Sequence, residues 1–202
     1  MNTLSLEDLA SLYRPVSPVA RDKMLDRVDK HGRAFIALSP FCLMSSAGPD
    51  ASDVSPRGGS PGFVQVSDDG ATVFLPDRPG NNRLDTIRNL LAGSGRVGLL
   101  FMIPGFEDIY RVNGHATASA DTDLVARFVE FGKPPRLVLA VAVQEALLHC
   151  PKAVMRARLW EADAQVDRSS LPTLSEMIFD QLNLGAPPIS EADVQASNQR
   201  YL

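Results

Sequence analysis

Cysteine and histidine are scarce in this chain, with two and three copies among 202 residues. Cys42 and Cys150 stand far apart, and neither belongs to a CxxC or to a Cys/His spacing of the kind that builds a zinc site. A disulfide or a structural metal is therefore not expected. Long apolar runs are missing as well. Nothing approaches the length that spans a bilayer, and the N-terminal MNTLSLEDLASLYRP lacks both the basic n-region and the apolar h-region of a secretory signal. A soluble, cytoplasmic protein without a membrane partner is the expectation. Positive charge is in deficit, with 20 Lys and Arg against 24 Asp and Glu. No basic surface is left over for a nucleic-acid backbone, so no nucleic-acid partner is expected.

The signatures of self-sufficient catalysis are absent too. There is no GxGxxG after the first strand, no GxSxG elbow, no recognisable pair of catalytic carboxylates and no nucleophilic Cys/His pair. An enzyme built from this chain would take its chemistry from a bound cofactor and act on a small-molecule substrate.

What is present is enough apolar material for one core, at 45% of residues. Residues 4–12 form a short amphipathic pattern with Ser5 as N-cap, and residues 19–31 a second one, closed by Gly32. From Arg33 the pattern turns to strands: RAFIALS, then FCLMSSA after Pro40. The segment AGPDASDVSPRGGSPG reads as a long loop. GFVQV and ATVFL flank the turn residues DDG as a hairpin. VGLLFMI is apolar at every position, as in a strand covered on both faces, whereas IYRVNGHATA alternates.

The helix expected from DTDLVARFVEFG would turn Leu124, Val125, Phe128 and Val129 inward. A long strand, RLVLAVAVQEALLHC, precedes a helix that starts at Pro151. The last helical pattern is TLSEMIFDQL. Strands joined by hairpins, with helices toward the ends, argue for an antiparallel barrel or α+β sheet rather than a doubly wound one. The organisation expected is an N-terminal helical cover at 1–32, a strand-rich domain at 33–160 and a C-terminal helical extension at 161–202.

The stretch LPDRPGNNRLDTIRNLL, residues 75–91, concentrates the chemistry. Asp77, Arg78, Asn81, Asn82 and Arg83 lie between a strand and a helix whose apolar positions Leu84, Ile87 and Leu91 share a face. Asn81 or Asn82 could cap that helix. A helix start presents unpaired amides and a positive dipole end, so Arg83 sits where a carboxylate would be favoured. A bound phosphate resolves that conflict, held by backbone amides, Asn82 and the two arginines. The alternative is a solvated turn with its arginines paired to Asp77 and Asp85. Arg57, among small residues and near Asp53, Ser55 and Ser60, is a second candidate. The third is HCPKAVMRARLW, with His149, Lys152, Arg156 and Trp160. His115, alternating with Arg111 and Asn113, could line a pocket.

Together DVSPRG, PGFV, LPDRPGNNRLD, VGLLFMIPG, RVNG, HCPKA and a following LW resemble the pyridoxamine 5'-phosphate oxidase-like, FMN-binding split-barrel family. The likeness lies with a bacterial branch that carries these segments. It implies a mainly β fold with flanking helices, a six-stranded antiparallel split β-barrel, and a homodimer with FMN sites at the interface. It further implies that Arg78, Asn81, Asn82 and Arg83, next to Asp77, hold the flavin phosphate. The strand with Val54, Ser55 and Arg57 would run beside the ring, and Arg111, His149 and Lys152 would approach from neighbouring positions or the partner. The C-terminal tryptophan and arginine pattern of the vitamin B6 oxidases is not evident in residues 169–202, so oxidation of pyridoxamine phosphate is not assigned. The function implied is an FMN-dependent oxidoreductase. The alternatives are a flavin- or haem-binding carrier or redox sensor, and a reductase that uses deazaflavin F420.

Overall fold

The structure, a computed structural model, describes residues 3–130, 132–185, 187 and 189–200. Helix α1 spans Leu6–Leu12 and begins in a capping box, in which Ser5 and Asp8 satisfy each other's backbone amides. Helix α2 is brief, Pro18–Asp22, with Ser17 as N-cap and proline at its first position.

The second helix expected at 19–31 therefore ends early, and the expected RAFIALS strand is instead helix α3, Lys30–Leu38. The reason is local. The Asp29 carboxylate accepts a 2.8 Å bond from the Gly32 amide and starts a new helix, which places Gly32 and Ile36 on one buried face. Between the two helices, Leu25 exchanges backbone hydrogen bonds with Ala146, tying the connection to the sheet.

Among the described residues seven antiparallel strands follow, not six. They are β1 (Phe41–Ala47), β2 (Ser52–Gly58), β3 (Gln65–Val66), β4 (Thr72–Asp77), β5 (Arg96–Met102), β6 (Ile109–Ser119) and β7 (Leu137–His149), in the sheet order β2-β1-β5-β6-β7-β4-β3. The expected GFVQV strand is only the two-residue β3. The expected long loop also contains a strand, because DVSPRG forms β2 on β1 with Val54 opposite Ser45 and Arg57 opposite Cys42. Its loop-like composition is tolerated since β2 is an edge, where Pro56 withdraws no amide from the sheet interior. The DDG turn between β3 and β4 is as expected, with Gly70 at φ 75° and its carbonyl accepting from the Val28 amide.

One face of the sheet carries the core. Met44, Leu75, Leu99, Phe101, Val112, Leu139 and Val141 have essentially no exposure. On β5 only alternate residues are buried, while Leu100 and Met102 stay half-covered. The uniformly apolar strand therefore has one closed face, not two.

Helix α4, Asp85–Ala92, lies across β1, β2 and β6. Helix α5 is only Thr122–Ala126; Phe128 beyond it is buried, but Val129 is exposed rather than turned inward. Phe131, near the expected end of that helix, lies outside the described residues. Helices α6 (Lys152–Ala157), α7 (Leu174–Leu182) and α8 (Glu191–Arg200) follow β7. No described helix is long and apolar enough to cross a membrane.

The contact between α3 and the sheet gives a sharp test of the packing. A Cβ built on Gly32 would lie 2.1 Å from the Tyr110 hydroxyl, which is itself buried without a hydrogen-bond partner. Replacing a mid-helix glycine by alanine ordinarily stabilises by roughly 0.5–1 kcal/mol. Here Gly32→Ala is expected to destabilise by about 1–3 kcal/mol through overpacking, as read by urea unfolding; a gain in stability would refute this account of the α3 contact.

Candidate functional site

Two ends of the sheet meet through side chains. Arg57 on β2, an edge strand, reaches Asp77 at the end of β4, which is next to the opposite edge, with Nη1 donating to Oδ1 at 2.5 Å. The pair is mostly buried, at 17% and 12% side-chain exposure. The other arm of the guanidinium donates to Thr86 Oγ1 at 3.1 Å, and that hydroxyl donates to Asp53 Oδ2 at 2.8 Å. A hydroxyl has one proton to give, so Ser55, 3.1 Å away, must be the donor in its contact with Thr86. Thr86, on α4, thus joins β2, β4 and the helix in one satisfied network. Arg57 Nε alone is left buried without a partner.

The turn that follows β4 separates the two arginines expected to act together. Arg78 swings away from the helix start: its Nη2 donates to the Phe128 carbonyl at 3.0 Å and pairs with Glu130 at 2.8 Å. Hydrogen bonds from Ser60, and behind them the Arg78 charge, hold the Glu130 carboxyl below the usual carboxylate range. Arg83 stays on the surface, with 74% of its side chain exposed, and pairs with Asp85 at 2.7 Å. The surface pairing of Arg83 with Asp85, and the pairing of Arg57 rather than Arg78 with Asp77, answer the solvated-turn alternative in part.

Neither Asn81 nor Asn82 caps α4. Asn81 Oδ1 accepts from the Arg83 amide at 3.1 Å and shapes the turn instead. Asn82 and Leu84 both take left-handed backbone conformations, φ 58° and 59°. Leu84 is the N-cap residue, and no side chain caps the helix. A leucine held there costs on the order of 1 kcal/mol. On the helix, Thr86 and Leu90 are buried, whereas Leu84 and Leu91, read from sequence as sharing a face with Ile87, are exposed.

The remaining candidates lie apart from this turn. Val54 is exposed on the outer side of β2. Arg111, on β6, faces Glu145 on β7 at 3.7 Å, and Asn113 donates to the same carboxylate at 2.8 Å. His149 ends β7 opposite Ile109, and Lys152 opens α6; both are exposed. Trp160 donates to the Phe106 carbonyl at 2.7 Å, pinning the segment after α6 to the turn between β5 and β6. Among the described residues no cluster of His, Cys, Asp and Glu is arranged to hold a metal.

Residues 28–150 match the family described as pyridoxamine 5'-phosphate oxidase. The chain belongs to this family. The matched region takes in the whole sheet, α3 and α4, and it leaves α1, α2, α6, α7 and α8 outside. Among solved structures, HupZ of Group A Streptococcus is similar at 12% identity, over 60% of this chain and 93% of its own, with a TM-score of 0.48. A Lactobacillus delbrueckii protein provisionally named as a pyridoxamine 5'-phosphate oxidase gives 16%, 61%, 95% and 0.46 in the same order. General Stress Protein 26 from Bacillus anthracis gives 13%, 58%, 93% and 0.41. No curated protein matches the chain.

Thr86 is the member of the network that sequence reading missed, together with the pairing roles of Glu130 and Glu145. Its signal was present. Threonine four residues before Leu90 is a polar position on an apolar helical stripe, which calls for a partner at hand. The network predicts strong coupling between its charged members. Asp77→Ala is expected to cost about 3 kcal/mol by leaving the Arg57 guanidinium uncompensated, and the Arg57→Met, Asp77→Leu double variant much less. Urea unfolding of the full cycle checks it; a coupling energy near zero would mean that the two sheet ends do not depend on this pair.

Proposed function

We propose that the protein binds FMN at the turn between β4 and α4 and acts as an FMN-dependent oxidoreductase on a small organic molecule or a nicotinamide. In this reading the curled sheet of residues 33–160 is a split barrel, two copies pair as a homodimer, and residues 1–32 and 161–202 are flanking helical segments. The observation that carries it is the start of α4. The helix lacks a side-chain cap, and the adjacent Arg83 guanidinium, three-quarters exposed, pairs with the half-buried Asp85 carboxylate. An exposed pair of this kind is worth about 0–1 kcal/mol, so a phosphate competes for Arg83 with little to displace. Gly80 leaves open space beside the turn, since a Cβ there would meet nothing within 4 Å. Uncapped amides, an available guanidinium and room for the ligand are what a phosphate ester requires.

FMN, once bound, supplies hydride transfer, which no side chain of this protein can supply. The chain's own residues divide the remaining work. Arg83 and the backbone at Asn82 grip the phosphate, and Asn81 shapes the turn. Arg57, Asp77 and Ser55 are positioning residues: their hydrogen bonds are spent on one another and on Thr86, which fixes α4 against β2. Arg78 anchors the other side of the turn through Glu130. Val54 offers an apolar edge to the flavin ring. Arg111, His149 and Lys152 reach the cofactor from farther along the sheet or from the second copy.

Reconstitution with FMN followed by desalting is expected to leave flavin absorbance with the protein. Arg83→Ala is expected to raise the dissociation constant by the equivalent of roughly 1.5–3 kcal/mol, read by flavin fluorescence quenching. An unchanged constant would make Arg83 a surface residue, and absence of retained flavin in the unaltered protein would remove the proposal. Mass spectrometry of ligand released from native protein separates FMN from a deazaflavin or a haem.

A further inference from the structure

A folded monomer of 21.8 kDa exposes about 9,300 Å² by the scaling of surface with mass. This chain exposes 13,789 Å², about 4,500 Å² more than that scaling allows. Two helices outside the family-matched region carry an apolar share of the excess. In α1 no residue is buried, and Leu6, Leu9, Leu12 and Tyr13 are all exposed. In α7 no residue is buried either, and Leu174, Ile178 and Leu182, spaced by four, form an exposed stripe.

These helices are nevertheless specified to form. Both begin in capping boxes, Ser5 with Asp8 and Thr173 with Glu176, and α7 closes on Asn183 in the left-handed conformation. Helices of seven and nine residues are too short to persist in water on propensity alone, where about 12–15 residues are needed even for favourable sequences. Such helices require a surface to pack on, and their own chain supplies little of one.

We infer that α1 and α7 are arms that pack on a second copy of this chain. The area fits: large obligate homodimer interfaces bury roughly 2,000–5,000 Å² in total, half from each copy, and the excess accommodates such an interface in full. The distribution fits as well. Exposed apolar groups sit on separate elements at both termini, and the outer sheet face leaves Leu100 and Met102 half-covered. A two-fold operation covers each of these places twice with a single partner. Charge adds direction. The ionic residues of α1 and α7 are all acidic, Glu7, Asp8, Glu176 and Asp180, while α6 presents exposed Met155 beside Lys152 and Arg156. Opposite signs can therefore meet between copies.

This inference rests on the dimeric reading above and not on the identity of the cofactor. The test uses the full chain without added ligand, in sedimentation velocity across micromolar concentrations. The unaltered protein is expected to sediment as a dimer. Leu6→Asp with Leu9→Asp, and separately Leu174→Asp with Ile178→Asp, are each expected to raise the dimer dissociation constant at least about tenfold. The substituted side chains are exposed within one chain and lie outside the core, so the core should keep its native urea-unfolding transition. Hydrogen exchange supplies a readout without substitution: amides of α1 and α7 should lose protection on dilution below the dissociation constant. A monomeric unaltered protein would overturn the pairing itself. A dimer whose constant is unmoved by both variants, with arm amides unprotected at every concentration, would overturn the arms alone. The FMN affinity of the unaltered protein reports on the cofactor reading independently of either result.

Discussion

A sheet that curls until its ends meet must hold those ends without ladder hydrogen bonds, and here the Arg57–Asp77 pair does so. The two strands are far apart in sheet order, so no backbone pairing is available to them. Bringing a guanidinium and a carboxylate out of water costs several kcal/mol per ion, which the mutual attraction offsets only where the leftover donors and acceptors are also satisfied. Arg57 Nε stays without a partner, and the second arm of the guanidinium is satisfied by Thr86. Its single hydroxyl serves Arg57, Asp53 and Ser55 at once, which places one helix, one edge strand and the far end of the sheet in a fixed relation. The position of the turn after β4, and of α4 itself, follows from this joint.

Pairing then sorts the arginines. Arg57, Arg78 and Arg111 each face a carboxylate across a partly buried contact, Asp77, Glu130 and Glu145 respectively. Their charge is largely spent on the fold. Arg83 differs in its own exposure, 74% of its side chain against 33% or less for the other three, so solvent screening weakens its bond to Asp85. Of these four arginines, three are thus structural pairs, and Arg83 is the available cation, set beside a helix start that no side chain caps. The left-handed Leu84 is consistent with this division. Strain is tolerated at a turn when the surroundings fix it, and the Asn81 contact to the Arg83 amide on one side and buried Thr86 on the other do so.

Much of the fold was legible, and the failures have physical causes. The cap at Ser5, the DDG turn and the long apolar strand β7 could be read because each depends on groups close in sequence. The DVSPRG strand could not, since its extended form is imposed by β1, and nothing in its own Gly, Pro and Ser content favours a sheet. RAFIALS failed for the opposite reason: a local cap at Asp29 overrode β-favouring residues. At the site, the segment 75–91 was correctly singled out, but its internal geometry was not recoverable. Which arginine turns toward Glu130 and which residue caps α4 are decided by residues 40 or more positions away or by a left-handed backbone that leucine seldom adopts.

The same distinction between local and distant causes bears on the terminal helices. Their caps specify where they start, and the sequence supplies those caps in full; the sequence of a single chain does not supply the surface they need. A helix whose apolar side chains remain in water has given up the main contribution that stabilises short helices in folded proteins. The core, by contrast, is complete without them: its buried residues run from Val28 to Val154, almost coextensive with the family-matched region. The arms therefore add nothing to the core they flank. Their amphipathic pattern is explained by a surface outside that core, and a partner related by symmetry presents such a surface to both arms at once.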